Sequence, residues 1–149
     1  MIKFISKTAP NDRRAIALDP ATVATIGIKP GMVLKEGSTP NFYLAKATDI
    51  ALVPGPVFAF TDSSRKDVQA AKTLTVVDGP FVADIDADAY VAPAPAQGDA
   101  LAPGADATPA ENGKLKTLAV TTVAHLGSVV AYCTRGVDAD GFIRIKVKR

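Results

Sequence analysis

Asp140-Gly141-Phe142-Ile143-Arg144-Ile145-Lys146-Val147 decides the fold class. Ile143, Ile145 and Val147 alternate with Arg144, Lys146 and Lys148, and a strand of period two puts the first set on a core and the second in water. Asp-Gly ahead of such a run is a hairpin turn signal, so this strand is expected to pair with Val129–Thr134.

Upstream, turn signals recur at Pro30-Gly31, Gly37, Pro54-Gly55-Pro56, Gly79-Pro80, Gly98, Pro103-Gly104, Gly113, Gly127 and Gly136. Between them lie runs of strand length: Met32-Val33-Leu34, Phe42-Tyr43-Leu44, Val57-Phe58-Ala59-Phe60, Leu74-Thr75-Val76-Val77 and Val129 to Cys133. Short β-branched and aromatic runs with frequent turns predict an all-β chain, a sandwich or barrel. At most one short helix is expected, over Ser64 to Leu74, with Ser63 or Ser64 as cap and Val68, Ala71 and Leu74 sharing a face. Asp67-Val68-Gln69-Ala70 also fits a strand edge.

Two stretches stand apart. Residues 1–26 alternate small apolar patches with the polar break Pro10-Asn11-Asp12-Arg13-Arg14, which reads as an extended N-terminal arm docking on another surface. Residues 92–111 are rich in Ala, Pro and Gly, with Leu101 the only large apolar side chain, and read as a surface loop in which any strand would lie at an edge. The expected organisation is an arm over 1–26 and a single β domain over 27–149. A chain of 149 residues fits one such domain.

The net charge of +2 hides an uneven distribution. No Lys or Arg lies between Lys72 and Lys114, a stretch that holds Asp78, Asp84, Asp86, Asp88, Asp99, Asp106 and Glu111. Basic residues gather in the first and last segments, a polarity that favours oriented contacts between charged surfaces over nucleic-acid binding. The lone cysteine, Cys133, excludes an internal disulfide and sits in an apolar run, as a core thiol does. No signal-peptide pattern follows Met1, and no run approaches the roughly 20 apolar residues of a membrane span, so a soluble, unexported protein is expected.

Each candidate for chemistry fails on a named residue. The single histidine, His125, has no partner for a multi-histidine metal scheme or a triad. Asp84-x-Asp86-x-Asp88 opens like a calcium loop, but Ala89 stands where a glycine belongs and Pro95 where a bidentate glutamate belongs. A hydrated strand face or an intersubunit salt-bridge surface are the other readings. Ser63-Ser64-Arg65-Lys66 has the Ser-x-x-Lys spacing, yet Lys116-Thr117 is followed by Leu118 where that scheme requires glycine. Gly113-Lys114 is followed by Leu115 in place of a magnesium-binding hydroxyl. No enzyme, cofactor or metal is expected.

The second half resembles the cement, or decoration, proteins of tailed-phage capsids. The residues that carry the likeness are Gly98-Asp99-Ala100-Leu101, Ala105 to Gly113, His125-Leu126-Gly127-Ser128-Val129 and Gly141 to Val147, with a looser match at Lys29-Pro30-Gly31-Met32-Val33. The resemblance implies a compact β-barrel or β-tulip-like domain and a structural virion protein, made in the host cytoplasm, that binds the outer face of an icosahedral shell and stabilises its mature form. Its partners would be the major capsid protein and further copies of itself, as a trimer by preference or a dimer, with neither nucleic acid nor membrane. Under this reading Phe4, Arg13 and Arg14 contact the capsid or a neighbouring copy, and Asp84, Asp86 and Asp88 meet Lys146 and Lys148 of a neighbour. A tail or head-completion component and a free β-barrel module for a small ligand or carbohydrate are the alternatives.

Overall fold

The structure is a computed structural model and describes residues 1–7, 13–18, 27–36, 41–46, 57–104, 109–119 and 128–147. Among these residues the strands are β1 (Ile2–Lys7), β2 (Arg13–Ala17), β3 (Val33–Glu36), β4 (Phe42–Leu44), β5 (Val57–Ala59), β6 (Thr73–Asp78), β7 (Phe81–Ile85), β8 (Ala100–Pro103), β9 (Leu115–Thr117), β10 (Ala131–Arg135) and β11 (Ile143–Val147). One helix, α1 (Lys66–Ala71), precedes β6, and a 3-10 turn spans Pro109–Glu111. The chain is all-β, as its turn spacing and alternation predict. None of its described helices is long and apolar enough to cross a membrane.

The strands form two antiparallel sheets, a larger one of six strands in the order β1-β7-β11-β10-β8-β9 and a smaller one of five in the order β2-β6-β5-β3-β4. The sheets are not closed into a barrel. An isolated parallel bridge from Leu18 to Phe42 joins the two edges of the smaller sheet at one point, without a continuous ladder. The chain steps between sheets at Gly79-Pro80, which separate β6 from β7.

The main core lies between the sheets. Phe81, Ala83 and Ile85 of β7, Ile143, Ile145 and Val147 of β11, and Ala131 and Cys133 of β10 meet Val33, Phe58 and Val77 of the smaller sheet. Phe81 is the hinge of this packing, with edge-to-face ring contacts at 5.2 Å to both Phe58 and Phe4. The other face of the smaller sheet carries Leu34, Val57, Ala59, Leu74 and Val76, covered by Ile28 and by Val68 of α1. Both of its faces are therefore apolar, which is why Val57-Phe58-Ala59 is an unbroken run.

Gly31 sets how closely the Lys29–Met32 turn approaches the larger sheet. Its φ of +97° suits glycine, and a Cβ there would stand 2.9 Å from the Cβ of Ala89.

Three expectations change. Residues 2–7 and 13–17 are not a free arm, because β1 pairs with β7 and β2 with β6, and Phe4 packs on the main core. The surface loop over 92–111 contains β8, which is internal to the larger sheet between β10 and β9, with Leu101 fully buried. Small alanines let β8 fit there, and Pro103 closes the strand where its missing N–H is tolerated. The helix is real but shorter than Ser64 to Leu74: Leu74 belongs to β6, Ala71 is exposed, and the N-cap residue is Arg65, without a side-chain capping bond.

Candidate contact surface

The outer face of the larger sheet carries two of the charged residues that the sequence singles out, Asp84 and Lys146. Register places Asp84 of β7 between Lys3 of β1 and Arg144 of β11. A register shift between Cys133 and Arg135 in β10 then sets Arg135, in place of Thr134, opposite Arg144. Such a bulge re-aims a side chain, and here it delivers a second guanidinium to Asp84.

Arg144 donates to both carboxylate oxygens of Asp84, Nε at 2.8 Å and an Nη at 3.1 Å. Arg135 lies 3.3 Å from the same carboxylate and donates to Asp138 at 2.7 Å. The fork-to-fork geometry is that of a strong charge-assisted pair. The Arg144 hydrogen bond holds the Asp84 carboxyl below its ordinary range, outweighing burial, and Asp84 in turn raises Arg144. Asp84 is buried, 8% exposed, and is satisfied by its own chain. Within the molecule its basic partners are Arg144 of the adjacent strand β11 and Arg135 of β10.

The β10–β11 loop is organised from Asp138. Its carboxylate accepts from the backbone N–H groups of Asp140 and Phe142, while Tyr90 donates to the carbonyl of Gly141 at 2.9 Å. Lys3 places its ammonium 4.3 Å from the centre of the Phe142 ring, a cation–π contact. A second cross-strand row runs Val82, Lys146, Tyr132, Ala100. Lys146 is exposed, and among the described residues no carboxylate pairs with it.

The remaining predicted contact residues scatter. Asp86 meets the α-amino group of Met1 and accepts from the N–H of Asp88, while Asp84 takes Arg144, so these carboxylates do not converge on one partner. Phe4 is half-buried against the core. Arg13 and Arg14 lie on β2, in the other sheet, opposite Val77 and Val76. Lys148 and His125 fall outside the described residues. Lys3, Arg135, Tyr132 and Phe142 were not singled out: alternation in β1 and β10 points to Lys3 and Tyr132, whereas Arg135 reaches this face only through the bulge and Phe142 lies in the loop before β11.

Other reactive groups hold structure. The Ser63 hydroxyl accepts from the N–H of Ile28 at 3.1 Å, and Ser63 is buried while Lys66 is exposed. Asp62 tends to be pushed up by burial, but hydrogen bonds from Lys29 and Ser64 prevail and hold it at about 2. The Cys133 thiol is buried and pushed up by desolvation. Gly98 and Asp99 lie in the turn just before β8, beside β10, where the Asp99 carboxylate accepts from the Ala96 N–H and the Thr117 hydroxyl at 2.9 and 2.8 Å.

No protein-family model matches the chain, and no curated protein matches it in sequence.

Proposed function

We propose that this chain is a structural virion protein that binds the outside of an icosahedral phage capsid and stabilises the mature shell, with the major capsid protein and further copies of itself as partners. The observation that supports this reading is the commitment of the described reactive side chains to the fold: Ser63 to Ile28, Asp62 to Lys29, Asp84 to Arg144, and Cys133 to the core. What such a molecule offers a partner is a rigid surface. The resemblance to cement proteins adds the identity of that partner, and two of its motifs serve the fold at turns: Gly31 where a Cβ would crowd Ala89, and Gly98 where the backbone takes a φ of +96°.

The mechanism is linkage. A protein that binds only the expanded lattice stabilises that lattice by RT ln(1 + [L]/Kd) per site, about 2.7 kcal/mol at a hundredfold excess over Kd. Equal affinity for immature and mature shells would shift nothing, so the effect lies in the difference between the two.

Electron microscopy of particles with and without the protein, together with their rupture on heating, tests the reading. Added surface density at hundreds of sites and a higher rupture temperature are the expected results. A copy number of about six or twelve would instead indicate a ring component of head or tail, and no binding to particles would remove the virion assignment.

A further inference from the structure

We propose that Asn112-Gly113 is a modification site: an asparagine that deamidates through a cyclic imide when the fold opens locally, and whose conversion releases a crossing between the two sheets. The crossing exists because Gly113 is inserted into the end of the β3–β4 ladder. A regular antiparallel pair of Val33 and Ala45 would exchange two hydrogen bonds. Ala45 does donate to the Val33 carbonyl, at 3.0 Å, but the reverse bond is replaced: Val33 donates to the Gly113 carbonyl at 2.7 Å, and Gly113 donates to the Ala45 carbonyl at 2.8 Å. Two residues on, Leu115 opens β9 of the larger sheet and donates to the Ala89 carbonyl at 2.8 Å. One turn, closed by Lys114 donating to the Glu111 carbonyl, therefore ties the sheets together.

The insertion requires glycine. Gly113 has a φ of +78°, and a Cβ there would stand 2.5 Å from Cδ2 of Leu44 and 3.2 Å from the Val33 carbonyl oxygen. The same lack of a side chain makes its nitrogen the least hindered nucleophile that can follow an asparagine. Once that nitrogen has lost its proton it attacks Cγ of Asn112. A C–N bond forms, the Cγ–Nδ2 bond breaks, and the side-chain nitrogen leaves as ammonia, taking up the proton that the glycine amide gave up to solvent. Water then opens the ring at Cγ to give aspartate, or at the main-chain carbonyl to give isoaspartate, whose backbone is one carbon longer. The other asparagines, Asn11 before Asp12 and Asn41 before Phe42, have bulkier successors.

The folded chain opposes each stage. The proton that must be lost is the one Gly113 donates to Ala45, and Gly113, Ala45 and Val33 are all buried, so attack waits for local opening. The imide has no N–H, so the bond to Ala45 cannot re-form while the ring lasts. In the product, the Asn112 side-chain oxygen, which is buried and without a hydrogen-bond partner among the described residues, belongs to a carboxylate. A charge buried without a donor is costly, and Glu111 adds a like charge beside it. A turn that has opened and reacted does not close as before.

Peptide mass spectrometry of the full chain held at mildly alkaline pH, with and without urea, tests the proposal. In urea, conversion of amide to acid is expected at Asn112 well ahead of Asn11 and Asn41, and in the folded chain at least about tenfold more slowly. The converted fraction, separated by its charge, should unfold at lower urea and lose hydrogen-exchange protection at the Val33 amide. Asn112→Gln keeps a neutral amide but forms its ring far more slowly, so this variant should keep both through the same ageing. Asn112→Asp carries the new charge without the longer backbone and should fall between the wild type and the isoaspartate form. Absence of conversion at Asn112 in urea, equal rates with and without urea, a converted chain with the Val33 amide still protected, or an Asn112→Gln chain that ages like the wild type would each overturn the proposal. It does not rest on the virion reading, since none of these measurements involves a capsid.

Discussion

β11 of the larger sheet reads Ile-Arg-Ile-Lys-Val, with its three apolar side chains buried and its two basic ones facing outward, whereas β5 of the smaller sheet reads Val-Phe-Ala and is buried throughout. The larger sheet has one dry face and one wet face. A slip of one residue in β11 would drive Arg144 and Lys146 into the core, so register there is strongly fixed by pattern. Within the smaller sheet β5 is dry on both faces, and a slip there would exchange one apolar residue for another. There, specificity has to come from polar ties at its margins: Ser63 on Ile28, and Asp62 on Lys29 and Ser64. Ion pairs outside one sheet and capped turns beside the other perform the same service by different chemistry.

The sharpest way to break the comparison is at the point the two sheets share. Phe58→Ala removes a fully buried ring from the smaller sheet that packs on Phe81 of the larger. A loss of about 3–5 kcal/mol is expected in urea denaturation, with both sheets melting in one transition. Two separate transitions would show that the sheets do not share a core.

The next test concerns the wet face alone. Asp84→Asn leaves Arg144 and Arg135 without their common carboxylate and is expected to cost about 2–3 kcal/mol near neutral pH. Because the folded carboxyl sits below its ordinary value of 3.8, the native state holds its proton less tightly than the unfolded state does. Its contribution is therefore complete above the unfolded value and is lost as pH falls through the folded one. The variant should show a shallower acid limb in a stability-versus-pH profile, and an unchanged limb would remove the Asp84 pairing as its cause.

The smallest effect belongs to the dry sheet's margin. Asp62→Ala should cost about 1 kcal/mol, the scale of losing a capping carboxylate. Titration of the Asp62 carboxyl by NMR should give a midpoint of about 2, well below 3.8, with its stabilisation present above the unfolded value and fading as pH falls toward 2. A midpoint in the ordinary range would mean that the Lys29 contact is not made in solution.

How much of this was legible in the sequence follows the same division. β11, its hairpin partner β10 and the burial of Cys133 could be read because alternation and an Asp-Gly turn act over a few residues. The runs of β3 to β6 were visible as apolar strands, though a run buried on both faces does not reveal which neighbour it takes. β1 and β2 were misread as an arm because their partners, β7 and β6, lie far along the chain, and local pattern carries no record of distant pairing. β8 was hidden by composition, since Ala-Leu-Ala-Pro has little β propensity and is held in place by its neighbours. Of the contact residues, Lys146 could be placed outward from alternation alone. Asp84 could not be matched to Arg144 until β7 and β11 were known to be adjacent.

The place of β7 in the larger sheet has a further consequence. Ala83 lies opposite Phe4 on one side and Ile145 on the other, so a single strand is flanked by one drawn from the opening of the sequence and one from its close. A chain leaving the ribosome has every strand of the smaller sheet in hand before β7 emerges, and β1 is already waiting for it. β7 then keeps one edge open through the synthesis of β8, β9 and β10, until β11 arrives to take it. Such distant pairing slows folding, and it makes that open edge the part of the nascent molecule most exposed to pairing with the wrong chain.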